Sequence, residues 1–84
     1  MATSTKTLSA DAWTLVSSAV SGTMENQTSR LVFFRTGGTL PLPTETVGMT
    51  LRQDERESWS FEPAQNIYAR LEAPSAGVLV VVEG

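Results

Sequence analysis

Histidine and cysteine, the side chains that most often exchange protons, attack carbonyls or ligate zinc, are both absent from this 84-residue chain. The chemistry left to it is that of carboxylates, chiefly Asp54, Glu55, Glu57 and Glu62. A glycosidase needs two such groups fixed across a cleft. These four crowd instead around one charged segment, Gln53-Asp-Glu-Arg56, which reads as the tip of a solvated hairpin. The spacing of Asp54, Glu55 and Glu57 does not follow a calcium loop. The one glycine pair, Gly37-Gly38, is not followed by the Lys-Ser or Lys-Thr of a phosphate cradle, and reads as a flexible turn. Asn26-Gln27-Thr28 fits the glycosylation pattern, but reads as part of a polar loop. The sequence therefore points to no catalytic residue, no cofactor site and no metal site.

Aromatic residues offer a second kind of chemistry. Tyr68 and Arg70 share one face of a strand and could stack on a base or a sugar ring. A net charge of −3 argues against nucleic acid and against an anionic membrane as partners. A sugar platform built from Trp13, Trp59 or Tyr68 remains an alternative. With so few large apolar residues available, both tryptophans are expected in the core.

The elements that must position these residues read as strands. A chain of this length forms one domain and buries only about 60–65% of its unfolded surface. It has no disulfide to reinforce it. Its longest apolar run, Val78 to Val82, is too short to cross a bilayer, and Met1 to Thr7 lacks the apolar segment of a secretory signal. Residues 1–10, rich in Ser and Thr, are a flexible arm or an edge strand, and 11–84 a single β-sandwich domain. A strand is expected from Ala12 to Val20, after a single turn at Ser9 to Asp11. Ser21 to Ser29 reads as a polar connection, and Leu31-Val-Phe-Phe34 as a strand apolar on both faces. Leu40-Pro-Leu-Pro43 is an extended loop, because prolines at alternate positions remove ladder donors.

Beyond that loop, strands are marked by alternation. Val47, Met49 and Leu51 share one face, as do Trp59 and Phe61, and Ile67, Ala69 and Leu71, the last set leaving Tyr68 and Arg70 outward. In the closing run Val78, Val80 and Val82 are read as core, with Leu79 and Val81 on the other face. Turn signals recur at roughly 8–12 residue spacing. The expected class is all-β: a small antiparallel β-sandwich, jelly-roll-like, of about six or seven short strands. Leu31, Phe33, Leu79 and Val81 then form a second apolar face with nothing in the chain to cover it. With Tyr68 they are the expected interface residues, for self-association or for docking on a larger assembly.

Four segments carry a resemblance: Gly48-Met-Thr-Leu-Arg52, Glu57-Ser-Trp-Ser-Phe61, Asn66-Ile-Tyr-Ala-Arg70 and the closing Gly77-Val-Leu-Val-Val-Val-Glu-Gly84. In this order, behind a Ser/Thr-rich start leading to a tryptophan strand, they resemble a class of small tailed-bacteriophage virion proteins. The likeness covers residues 30–84 well and the N-terminal part loosely. It departs at Gln53-Asp-Glu-Arg56, where the pattern has Pro-Gly before a glutamate, so a longer turn is expected here. The resemblance implies a non-enzymatic virion protein, assembled in the bacterial host cytoplasm. Its role would be that of a capsid decoration or cement protein, present as a homo-oligomer and bound to the major capsid protein. A tail, fibre or head–tail adaptor role is the alternative within that class, and a carbohydrate-binding module the alternative outside it.

Overall fold

The computed structural model describes residues 2–84 and is all-β. Eight strands are present: β1 Ala2–Lys6, β2 Thr14–Ser17, β3 Ser21–Gln27, β4 Val32–Gly37, β5 Met49–Leu51, β6 Arg56–Ser60, β7 Asn66–Leu71 and β8 Val78–Glu83. They form two four-stranded sheets, ordered β1-β8-β3-β6 and β2-β7-β4-β5. Every neighbouring pair is antiparallel. The pairings β4–β5, β3–β6, β2–β7 and β1–β8 are nested, as in one long hairpin ribbon. Two further pairings, β3–β8 and β4–β7, roll that ribbon into a sandwich. This is the strand order of a jelly roll.

The core lies between the sheets. It takes Met24, Trp59, Leu79 and Val81 from the first sheet, and Val16, Val32, Phe34, Leu51, Ile67, Ala69 and Leu71 from the second, with Leu8 joining from the first connection. Strand alternation explains the membership, because every second residue of each strand faces inward. Trp59 lies over Gly22, its cross-strand partner. A Cβ at Gly22 would stand 2.6 Å from the Trp59 ring and 2.5 Å from the Val82 carbonyl, so only glycine allows this contact. A bulge between Leu15 and Ser17 lets both Val16 and Ser17 turn inward.

Several expectations are corrected. The expected strand from Ala12 to Val20 is shorter, Thr14–Ser17, and the supposed polar connection from Ser21 is strand β3, central in its sheet. The closing strand faces the other way from the reading above. Leu79 and Val81 are core residues with no exposed surface, whereas Val78, Val80 and Val82 are half-buried on the outer face. The register with β3 decides this. Leu79 pairs with Asn26 and Val81 with Met24, both wholly buried, while Val80 pairs with the carboxylate-bearing Glu25. Tyr68 and Arg70 do sit on the outer face of their sheet, but both are buried there. Val47 and Met49, expected on a half-buried strand face, are exposed, and only Leu51 of that set reaches the core.

Asn26-Gln27-Thr28 is not a polar loop. The Asn26 amide donates to the Arg30 carbonyl at 2.8 Å and, across the sandwich, to the Leu51 carbonyl at 2.9 Å. Its side-chain oxygen accepts from the Thr28 N–H (2.9 Å) and the Thr28 hydroxyl (2.7 Å). Asn26 is fully buried, which keeps its amide from any modifying enzyme. The backbone joins in: Asn26 N–H donates to Glu55, and Asp54 N–H donates to the Asn26 carbonyl. Asp54 takes a left-handed conformation (φ 64°) to complete that turn, a conformation Asp tolerates better than most residues.

Two predictions follow from this packing. Leu79→Asp is expected to abolish the cooperative urea transition, whereas Val80→Thr shifts it by less than about 1 kcal/mol. Asn26→Ala leaves the Leu51 carbonyl and the Thr28 N–H without their buried partner, while the Thr28 hydroxyl still reaches the Arg30 carbonyl. The substitution is expected to cost about 3 kcal/mol in chemical denaturation, a large share of the ~5 kcal/mol typical of so small a domain.

Candidate functional site

The β4–β5 connection, residues 38–48, is the longest between strands, and it folds back across the outer face of the β2-β7-β4-β5 sheet. Three side chains on that side hold it by its backbone carbonyls. Arg70 on β7 donates to Pro43 (2.7 Å) and Glu45 (3.1 Å), and reaches Ala10 with its other terminal nitrogen (2.6 Å). Trp13 donates its indole N–H to the Glu45 carbonyl at 2.8 Å. Arg35 on β4 donates to the Val47 carbonyl at 3.3 Å and stands 3.8 Å from the Glu45 carboxylate. Both guanidinium groups stack on the Trp13 ring, at 5.6 Å for Arg70 and 5.7 Å for Arg35. The buried charge of Arg70 thus rests on three carbonyl dipoles and an aromatic face, with no carboxylate bonded to it. Gly48 closes the loop against this cluster: a Cβ there would meet the Phe34 carbonyl at 2.9 Å and the Trp13 ring at 3.3 Å.

Because the carbonyls face inward, the apolar side chains of the loop face out. Leu40, Leu42 and Val47 are 59%, 65% and 74% exposed, whereas Met49, the first residue of β5, is exposed on the inner-face side with its partner Phe34. No other part of the described chain presents so many large apolar groups in so short a stretch, though Leu15 and Val20 are also exposed singly. Such a cluster, held on a pinned backbone, is the usual mark of a contact surface.

The expected interface residues fall elsewhere. Leu31 and Phe33 are half-buried at the start of β4, and the Leu31 carbonyl accepts from Glu72. Tyr68 is buried, its hydroxyl accepting from the Asn66 amide at 3.0 Å. Leu79 and Val81 lie inside the sandwich and have no surface to offer a partner. The exposed loop was missed because Leu40-Pro-Leu-Pro43 reads only as an extended linker. Its alternating leucines and prolines were the available signal.

The outer face of the other sheet is different in kind. Val78, Val80 and Val82 run down its middle, flanked by Thr3 and Thr5 of β1 and by Thr23, Glu25 and Gln27 of β3. On this face Arg56 donates to Glu25. The Arg56 guanidinium, and after it the Gln27 amide, hold the Glu25 carboxyl below its ordinary value, and the same pairing raises Arg56. Among the described residues no three His, Cys, Asp or Glu side chains are grouped as a metal would require. No family model, curated protein or solved structure matches this chain.

Arg70→Lys keeps the charge but loses the fork that spans Pro43, Glu45 and Ala10. It is expected to lower stability by about 1–3 kcal/mol and to speed amide hydrogen exchange at residues 44–47. Arg35→Lys, at an exposed site, should leave both nearly unchanged.

Proposed function

We propose that this protein is a non-enzymatic virion structural protein of a tailed bacteriophage, a capsid decoration or cement protein acting in many copies. Its contact surface is the apolar loop around Leu40, Leu42 and Val47. The observation that carries the reading is that these three side chains are exposed on a loop whose backbone Arg70, Trp13 and Arg35 hold at Pro43, Glu45 and Val47. A loop ordered before it meets a partner loses little conformational entropy on binding. Two further points support the reading: the resemblance of residues 30–84 to small phage virion proteins, and a jelly-roll strand order that recurs in viral shells. Lectin domains share that topology, so fold alone does not choose. Burial of Trp13, Trp59 and Tyr68 argues against the carbohydrate module, because none offers a ring face to a sugar. A tail, fibre or adaptor position would use the same surface.

A protein that binds only the assembled shell stabilises it by mass action. The test is light scattering across a wide concentration range, together with co-sedimentation on heads of the encoding phage stripped of this protein. The wild type is expected to pellet with the heads and to raise their melting temperature. Leu42→Asp with Val47→Asp should abolish both while leaving the urea transition of the free protein in place. A protein that stays monomeric and never pellets with heads would overturn the decoration role.

A further inference from the structure

The sandwich is closed on one side and open on the other. Between the free edges of β5 and β6 lies a cleft of about 770 Å³, within the ~300–1,000 Å³ range of small-molecule sites. Its floor rests on the buried side chains Met24, Phe34, Trp59 and Ile67, and its accessible walls include Val47, Met49 and Phe61. Two features keep it open. Strand β5 is only three residues long, so it covers little of the gap. The loop before it is held at Pro43 and Glu45 by Arg70 and Trp13, so only its last residues, Val47 and Gly48, reach the rim.

One charged group at the mouth is uncommitted. Glu57 pairs with Met24 across β3 and β6, so its side chain is directed to the cleft side of the sheet. Glu57 is exposed and makes no hydrogen bond or ion pair with the described residues. Arg35, the cation on the same cleft, is already engaged by the Val47 carbonyl, Glu45 and the Trp13 ring. The free charge of the cleft is therefore negative and its lining aromatic and thioether-rich, surfaces that favour an aromatic ring. We infer that the β5–β6 cleft binds a small aromatic amine, the ring seated between Met49 and Phe61 and the ammonium donating to the Glu57 carboxylate. This site shares Val47 with the contact loop, but Glu57 has no part in the assembly role, so either can fail without the other.

The probes are 4-phenylbenzylamine, its carboxylate counterpart biphenyl-4-carboxylate, and the neutral biphenyl-4-methanol. Binding is read from the methyl resonances of ¹³C-labelled Met24 and Met49, one at the floor of the cleft and one on its wall. The amine is expected to shift both methyls and to bind at least about fivefold more tightly than the carboxylate. Glu57→Gln should reduce the amine to the affinity of the alcohol, leaving the alcohol itself unaffected. Equal binding of amine and carboxylate, or an amine affinity untouched by Glu57→Gln, would overturn the inference. So would the absence of methyl shifts at saturating amine, or concentration-dependent shifts of the Met24 methyl without ligand, which would mean that a second copy fills the cleft.

Discussion

A single buried amide ties the two sheets together. The Asn26 side chain leaves β3, in one sheet, and donates to the Leu51 carbonyl of β5, in the other. Its remaining bonds fix the turn that leads into β4, and its backbone fixes the turn between β5 and β6. Sheets packed only by apolar side chains can slide, since dispersion and hydrophobic contact have little direction. A buried amide has direction, and any slip that broke its bonds would leave polar groups dry. At the opposite end Ser17 donates to Glu83, again from one sheet to the other. With these two polar links, a core of modest size can keep one register.

The Arg70–Trp13 cluster works by the same logic on the outside of the sandwich. A proline-bearing loop has few donors of its own and leaves its carbonyls in need of partners. One terminal nitrogen of Arg70 satisfies two of them at once, and the Trp13 indole shares the Glu45 carbonyl. This arrangement fixes the loop at Pro43, Glu45 and Val47. It leaves Leu42 and Val47 exposed, and brings only the end of the loop to the β5–β6 cleft. The exposed loop and the open cleft thus have one common cause.

Much of the architecture was legible in the residues. The turns punctuate β6, β7 and β8 clearly, and the inward set Ile67, Ala69 and Leu71 is unambiguous because polar or bulky residues alternate with it. Strand β3 was not legible. Ser21-Gly-Thr-Met-Glu-Asn-Gln27 has one apolar residue, and its second inward group is an amide whose partners lie far along the chain. The missing strand then misled the reading of β8. Both faces of Val-Leu-Val-Val-Val are apolar, so alternation could not choose between them. Only the pairing with Met24 and Glu25 does. Tyr68 and Arg70 were placed on the correct face, but their burial depends on a loop folding over them, which no local pattern announces.

The nested order of the strand pairs bears on how the chain finds this fold. The hairpin β4–β5 joins residues nearest in sequence, while β1–β8 brings Ala2 beside Glu83. Loop-closure entropy therefore favours the middle of the chain as the starting point, and each pair formed shortens the effective loop that the next must close. On this ordering growth runs outward from the apolar loop, which is the hinge about which the ribbon zips. Pairings this distant in sequence place the domain among slow-folding β proteins, on the millisecond-to-second scale. The edge strand β1, whose partners are the most remote, is the last to be secured.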